Sequence, residues 1–442
     1  MNLIMLPIIT DLPTLRIHTN QVPPNPRELF LKNLGLTHDP FATPVAETEL
    51  KNPPRFFSPE IAPTEDQQNK RYSTFAAYFI SPHLSSLDQN QDPLTELRAP
   101  NHAFIFGAPG TGKTTLRLTL ESATRTETND TLIVTYYLGE YVRGPLKTEH
   151  HAERLAKELA IDFFVQVIER LDSVFRSPNA DQMNIFKQQF SIGGQPLLRL
   201  ARRFLDQRFP NSPDGLGSHL PLVGKFPARF IPTTQATLDL VRDCLHTKPD
   251  QLKLQAGWSM LKTGLDAARA WGYKRVFILV DGVDTSQRGT TDMLDLIQPL
   301  IGQLGDWTDQ NVFGKFFLPQ ELDRPLQVAL KNLLPKQRFQ GTIMWSKQAL
   351  RDLLAQRFRS ANSPYISFDQ FADAPLSGNL DNLILDLADG SPREMLRVIS
   401  ALIDAHIANT FETQTPTPYF SQTDWDTMRK TLPELNTHPV PS

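Results

Sequence analysis

The residues best suited to chemistry stand in one run, Gly107-Ala108-Pro109-Gly110-Thr111-Gly112-Lys113-Thr114-Thr115, which contains the spacing G-x-x-x-x-G-K-T. An apolar stretch at 102–106 precedes it, and Leu116, Leu118 and Leu120 follow with the patterning of an amphipathic helix. A strand, a glycine-rich loop and a helix in that order form a concave anion site. Glycines let the backbone curl so that successive N–H groups point inward, and the helix N-terminus adds positive potential. Lys113 supplies a point charge for terminal phosphates, and the Thr114 hydroxyl can enter the first shell of a Mg²⁺ ion bridging them.

A triphosphate site of this kind needs a carboxylate on a neighbouring strand. The run KRVFILVD at 274–281 is the most hydrophobic short stretch of the chain and delivers Asp281 at its end, as a buried parallel strand does at the carboxyl edge of a sheet. Gly282 follows, and Asp284 is the next acid. Two readings of Asp284 stand side by side. It can orient an attacking water, or it can cap the turn at 283–286.

Other constellations carry less. His150-His151 with Glu149 and Glu153 has the composition of a metal cluster, but adjacent helical residues diverge and no H-E-x-x-H spacing exists, so a solvated helix start is expected. Cys244 is the single cysteine, which excludes an internal disulfide and a cysteine-rich zinc site. No G-x-S-x-G elbow supports a nucleophilic serine. Arg202-Arg203 and the pair Arg357 and Arg359 lie on helical patterns and read first as snorkelling surface residues, second as a nucleic-acid face.

The elements that must position these residues follow from pattern. The 442 residues suffice for two to four folding units. Prolines number 36, about 8% against the usual 5% or so, which points to many ordered turns and linkers. The formal charge of −3 leaves any nucleic-acid contact to a local basic patch. The apolar start of the chain is short and broken by Pro7, and no stretch approaches the roughly 18 apolar residues of a membrane span, so a cytoplasmic protein without membrane contact is expected.

Residues 1–68 read as an extended proline-rich arm with a helical piece at 27–34. Strands are expected at 103–107, 131–138, 275–281, 313–318 and 341–345. The region 148–273 reads as a helical insertion in a core spanning 69–345. Beyond 346 the strand signals stop. Helices are expected at 346–359, 379–388 and 391–408, the last opened by Ser391-Pro392, with one more near 422–432 in the tail 409–442.

Residues 107–114 resemble the Walker A motif of P-loop ATPases. FILVDGVD at 277–284 resembles the Walker B variant of STAND-type and KAP-type members, a hydrophobic run followed by Asp-x-x-Asp. Gly390-Ser391-Pro392-Arg393, opening a helix, is similar to the sensor 2 arginine motif of AAA+ and origin-recognition-like ATPases, and residues 345–357 resemble the start of their helical lid. The resemblance implies an α/β P-loop NTPase fold with a five-stranded parallel sheet of order 5-1-4-3-2, a helical insertion and a C-terminal helical lid at 346–408. It implies ATP and Mg²⁺ as ligands, Thr114 and Asp281 at the metal, and Arg393 reaching the γ-phosphate. Gln320 falls at the sensor 1 position, and Arg324 and Arg338 fall where an arginine finger would come from.

The expected function is ATP binding with slow hydrolysis, used as a conformational switch on a protein partner or on self-assembly. Lys113, Asp281, Asp284 and Arg393 carry the chemistry. The glutamate that polarises water in many such ATPases is replaced by Gly282. Three alternatives remain: a nucleic-acid-associated ATPase of loader or transposition-regulator type, a non-hydrolysing nucleotide-binding module, and a kinase.

Overall fold

In a computed structural model of the chain, residues 25–42, 57, 79–88, 91–127, 130–139, 148–176, 184, 188, 257–285, 288–410 and 418–437 are described. Most of the arm at 1–68 lies outside them, as do Arg202, Arg203, the phenylalanines at 204, 209, 226 and 230, and Cys244.

The strands are β1 (His83–Leu84), β2 (His102–Gly107), β3 (Thr131–Tyr137), β4 (Arg275–Asp281), β5 (Val312–Pro319) and β6 (Arg338–Met344). The helices, in chain order, are α1 (Pro26–Asn33), α2 (Pro93–Leu97), α3 (Lys113–Glu127), α4 (Thr148–Arg176), α5 (Trp258–Trp271), α6 (Thr290–Ile301), α7 (Leu304–Asp309), α8 (Asp323–Leu330), α9 (Lys347–Ser360), α10 (Leu380–Ala388), α11 (Pro392–Thr410) and α12 (Gln422–Thr437).

The protein is α/β, with a mixed and mostly parallel sheet of six strands ordered β1-β6-β2-β5-β4-β3. The expected five-stranded, wholly parallel sheet is thereby corrected to six strands of mixed direction: a strand is added at one edge, outside the five expected ones, which run β6-β2-β5-β4-β3. The two-residue β1 pairs antiparallel with β6, His83 opposite Met344, and adds an edge. Two residues show no periodicity, so nothing in the pattern marks them. Strand β6 also begins at Arg338, three residues before the expected start.

Alternation along the buried strands builds two cores. Phe104, Phe106, Leu132, Val134, Ile278 and Val280 face one side, under α4 to α8. Ala103, Ile105, Ile133, Phe277 and Leu279 face the other, against Leu116 and Leu120 of α3. With both faces covered, the strands read as continuous apolar runs. The free edge of β3 is closed by side chains of α4. Gln166 bonds both the N–H and the C=O of Ile133, at 3.2 and 2.7 Å, and Asp162 accepts the Thr135 N–H at 2.7 Å. Residues four apart on a helix thus stand in for a neighbouring strand.

Helices α4 and α5, the two ends of the 148–273 segment, belong to the same hydrophobic cluster as the sheet through Leu155, Leu159, Phe163, Leu261 and Leu265. They are core helices. The stretch between them, 177–256, lies outside the described residues apart from 184 and 188.

A third core gathers α9 to α12, and α1 joins it. Phe30 of α1 packs edge-on against Phe420, ring centroids 5.4 Å apart, and Arg27 pairs with Asp39 at 2.7 Å and Asp404 at 2.5 Å. Arg357 is buried and donates to the Pro40 carbonyl at 2.9 Å, which corrects its reading as a surface residue. Arg359, two residues on, is exposed. No helix among the described residues is long and apolar enough to cross a membrane.

Candidate phosphate-binding site

Strand β2 is buried throughout and ends at Gly107, in register with Pro319 of β5. The chain then curls. Gly110 and Gly112 take φ of +83° and +92°, the left-handed region that glycine enters at no steric cost. A side chain at Gly107 would bring its Cβ within 2.5 Å of Thr111 Oγ1, so the loop closes on itself. Ala108 O accepts from Thr111 N at 3.3 Å and from Thr111 Oγ1 at 2.8 Å. Pro109 is exposed at the turn, and α3 begins at Lys113 with Leu116 N donating to Gly112 O at 2.9 Å. The first N–H groups of a helix have no partner within it, so this terminus is a natural anion site.

Lys113 is buried, and its ammonium donates back to Gly107 O at 2.8 Å and Ala108 O at 3.3 Å. It also forms an ion pair of 3.3 Å with Asp284 Oδ2, from the loop after β4. The turn is closed by Thr285, whose hydroxyl donates to Gly282 O at 2.9 Å, while the Asp284 carboxylate meets Lys113.

Asp281 is 2% exposed. Its Oδ1 accepts the Gly282 N–H at 2.8 Å and its Oδ2 accepts Arg117 Nε at 2.8 Å. Thr114 and Thr115 are half-buried in the first turn of α3, and Thr114 and Arg117 stand three residues apart on neighbouring positions of that helix face. The donor set at this end of the sheet, one hydroxyl and two carboxylates, is hard oxygen of the kind Mg²⁺ takes together with phosphate and water. Among the described residues no group of three or more His, Cys, Asp or Glu side chains forms a metal cage. Mg²⁺ held jointly with a phosphate fits this set.

Gly282 has φ +78°, and a Cβ there would lie 2.3 Å from the Tyr137 ring. Tyr137 pairs with Asp281 across β3 and β4, and its ring also lies against Gly139. A glutamate at 282 would therefore meet two obstacles, a strained backbone and the Tyr137 ring. Arg288 ties the two loops together, donating to Leu138 O at 2.8 Å, Val283 O at 2.9 Å and Gly139 O at 3.1 Å. Burial lowers its pKa from the ordinary guanidinium value, opposed by Asp292, Tyr137 and Asp284.

The helical unit reaches the same loop. Trp345 Nε1 donates to Thr111 O at 2.9 Å, and Arg393 N lies 3.4 Å from Gly110 O. A Cβ on Gly110 would come within 2.7 Å of Ser391 Oγ and 2.9 Å of Arg393 Cβ. Arg393 thus stands on the loop, with its side chain exposed.

Other sequence candidates lie apart. Gln320 follows β5 at the loop end of the sheet but is exposed. Arg324 is exposed on α8. Arg338 opens β6 opposite His102, at the far end of the sheet, and its guanidinium donates to Leu330 O. Lys315 is fully buried at that far end too. It donates to Ala99 O at 2.9 Å and Asn101 O at 2.5 Å, and burial lowers its pKa well below the ordinary lysine value. His150 is exposed, but His151 is buried with Nδ1 2.8 Å from the Tyr136 hydroxyl, correcting the expected solvated helix start.

The sequence reading missed Arg117 and Tyr137, and placed Trp345 only at the start of the lid. Only Arg117 carried a signal, since it follows Lys113 by four residues and so shares its helix face. No protein-family model matches the chain, and no curated protein matches it.

Proposed function

We propose that this chain binds ATP with Mg²⁺ and is a P-loop ATPase of the AAA+/STAND-like kind, a slow switch whose nucleotide state is read by the C-terminal helical unit. One observation carries the reading. The Lys113 ammonium sits in the curl of the glycine loop 3.3 Å from the Asp284 carboxylate, while Arg393 and Trp345 of the helical unit bond the same loop. Three separate parts of the chain converge on one loop suited to a polyphosphate.

In this reading the loop amides and Lys113 bind the β- and γ-phosphates, and Thr114 and Asp281 would hold the metal. Mg²⁺ would supply charge neutralisation on the phosphate oxygens. Asp284 orients the attacking water; the water's oxygen bonds to the γ-phosphorus as the bond to the ADP oxygen breaks, and ADP and phosphate leave, the phosphate carrying the water's protons. Arg393, on a different unit, makes the position of that unit depend on a third phosphate.

A second reading, nucleotide binding without hydrolysis, draws support from Gly282, since Tyr137 and the positive φ both disfavour the usual glutamate. The nucleic-acid-associated alternative depends on a basic stripe in the 148–273 segment, of which 177–256 lies outside the described residues apart from 184 and 188. A kinase draws no support from the site.

The test is a titration of purified protein with ATP, with and without Mg²⁺, alongside measurement of released phosphate. Tight binding is expected, and Lys113→Ala should weaken it by about 100-fold, the cost of removing one partner of a buried charged contact. Binding with no phosphate released selects the second reading, and failure of the wild-type protein to bind ATP overturns both.

A further inference from the structure

Arg117 lies one turn beyond Lys113 on α3 and is completely buried. Its Nε donates to Asp281 Oδ2 at 2.8 Å and its Nη1 reaches Glu121 Oε2 at 3.4 Å. Glu121 Oε1 pairs with Arg125 Nη2 at 3.0 Å, and the same nitrogen lies 4.0 Å from Asp162 Oδ1 on α4. The charges alternate along the row Asp281, Arg117, Glu121, Arg125, Asp162. Three of them repeat at four-residue spacing on α3, which aligns them on one helix face. Asp162 is fixed in turn by the Thr135 N–H of β3.

Such a buried ionic row is weak grounds for stability, because apolar side chains of equal volume serve as well. What it does is fix a carboxylate. Asp281 has one oxygen on the Gly282 N–H and the other on Arg117, so both are oriented by groups that are themselves buried. The helix that presents the glycine loop also presents the group that orients the acid facing it.

We propose that Arg117 is a positioning residue for Asp281, and that the row ending at Asp162 makes the setting of this carboxylate depend on the seating of α4, the helix from which the 177–256 stretch departs. This deepens the nucleotide reading above and rests on it, because Asp281 is the carboxylate assigned there to the metal. Arg117 acts through Asp281 alone. Its loss uncouples Mg²⁺ from nucleotide affinity while leaving metal-free binding by the loop and Lys113 in place.

The experiment follows a fluorescent ATP analogue binding to the full chain in EDTA and across a Mg²⁺ series, for the wild type, R117M, R117K and D162N, with circular dichroism as the folding control. In the wild type, Mg²⁺ tightens binding. R117M keeps its affinity in EDTA but needs about 10- to 100-fold more Mg²⁺ for the half-maximal effect, the usual cost of losing a group that orients a metal ligand. R117K recovers part of that loss. D162N, far from the loop, shifts the midpoint the same way by about threefold. Arginine variants that superimpose on the wild type overturn the role of Arg117, and an unshifted D162N overturns the dependence on α4. Should R117M fail to fold, R117K and D162N still decide. Failure of the wild type to bind the analogue brings down the nucleotide reading itself, whereas wild-type binding that ignores Mg²⁺ spares that reading and ends this inference.

Discussion

The sheet unit and the helical unit both touch the glycine loop, but by different means. From the sheet side come charges: Asp284 on Lys113, and Asp281 on Arg117 behind it. From the helical side come a ring N–H, a backbone N–H and close packing: Trp345 on Thr111, Arg393 on Gly110, and Ser391 against the bare Cα of Gly110. Charged contacts respond to a ligand that brings its own charge, whereas packing and amide contacts respond to the shape of the loop. The sheet side is thus tied to the loop by charge, and the helical side by amide contacts and packing. Trp345 joins the two, because its ring packs against both the helical core and the core beneath α3.

Several changes would break or sharpen that contrast. The largest effect is expected at Asp281. Replacing it with alanine leaves the fully buried Arg117 with Glu121 as its remaining carboxylate, at a cost of about 3 kcal/mol, whereas Asp284→Ala, whose carboxylate is 29% exposed, should cost no more than about 1 kcal/mol. Urea denaturation of the two variants tests the difference, and equal losses would show that the two acids do not differ in structural role.

Acid should weaken the sheet side more than the helical side. Burial lowers His102 and His151, both in the sheet unit, to about 4, and lowers His38 of the helical unit to about 4. Each is a base whose folded pKa lies below the unfolded value of about 6.5, so the unfolded chain binds the proton first. Stability is therefore complete above about pH 6.5 and falls as the pH drops toward about 4, by on the order of 3 kcal/mol per histidine. Denaturation series between about pH 7 and about pH 4.5 should show this slope, and His102→Gln should flatten it more than a surface histidine change does.

Gly282→Glu should destabilise by about 1–3 kcal/mol, since it combines a strained backbone with a collision against Tyr137. Pairing it with Tyr137→Ala relieves only the collision, so thermal unfolding of the double variant separates the two causes. The smallest effect belongs to Trp345→Phe, which keeps the ring packing and removes one hydrogen bond to the loop. It should cost about 1 kcal/mol, read as a small fall in melting temperature.

Much of the frame was legible beforehand, for a physical reason in each case. Buried parallel strands are continuous apolar runs, so β2 to β5 could be read within a residue or two. Helix α11 was marked at its start, where the Ser391 hydroxyl accepts the Glu394 N–H at 3.3 Å and proline takes the first helical position. The edge strand β1 was not legible, because two residues have no period, and the early start of β6 was missed because Arg338, Phe339 and Gln340 do not form an apolar run. Nor was the burial of Arg357 or His151, since a helical pattern shows which residues share a face but not which neighbour covers it.

At the site itself, the local sequence determined a glycine loop between a strand and a helix, with a lysine at the helix start and acids at the end of a distant strand. These depend on backbone conformation and on apolar runs, which are properties of short segments. Tertiary structure alone decided which acid meets Lys113, that Asp281 is taken by Arg117, that Tyr137 stands over Gly282, and that Arg27 of α1 reaches Ser400, 373 residues away in the chain. Those pairings are set by where the strands and helices pack, and no spacing along the chain encodes the distance between residues on different elements.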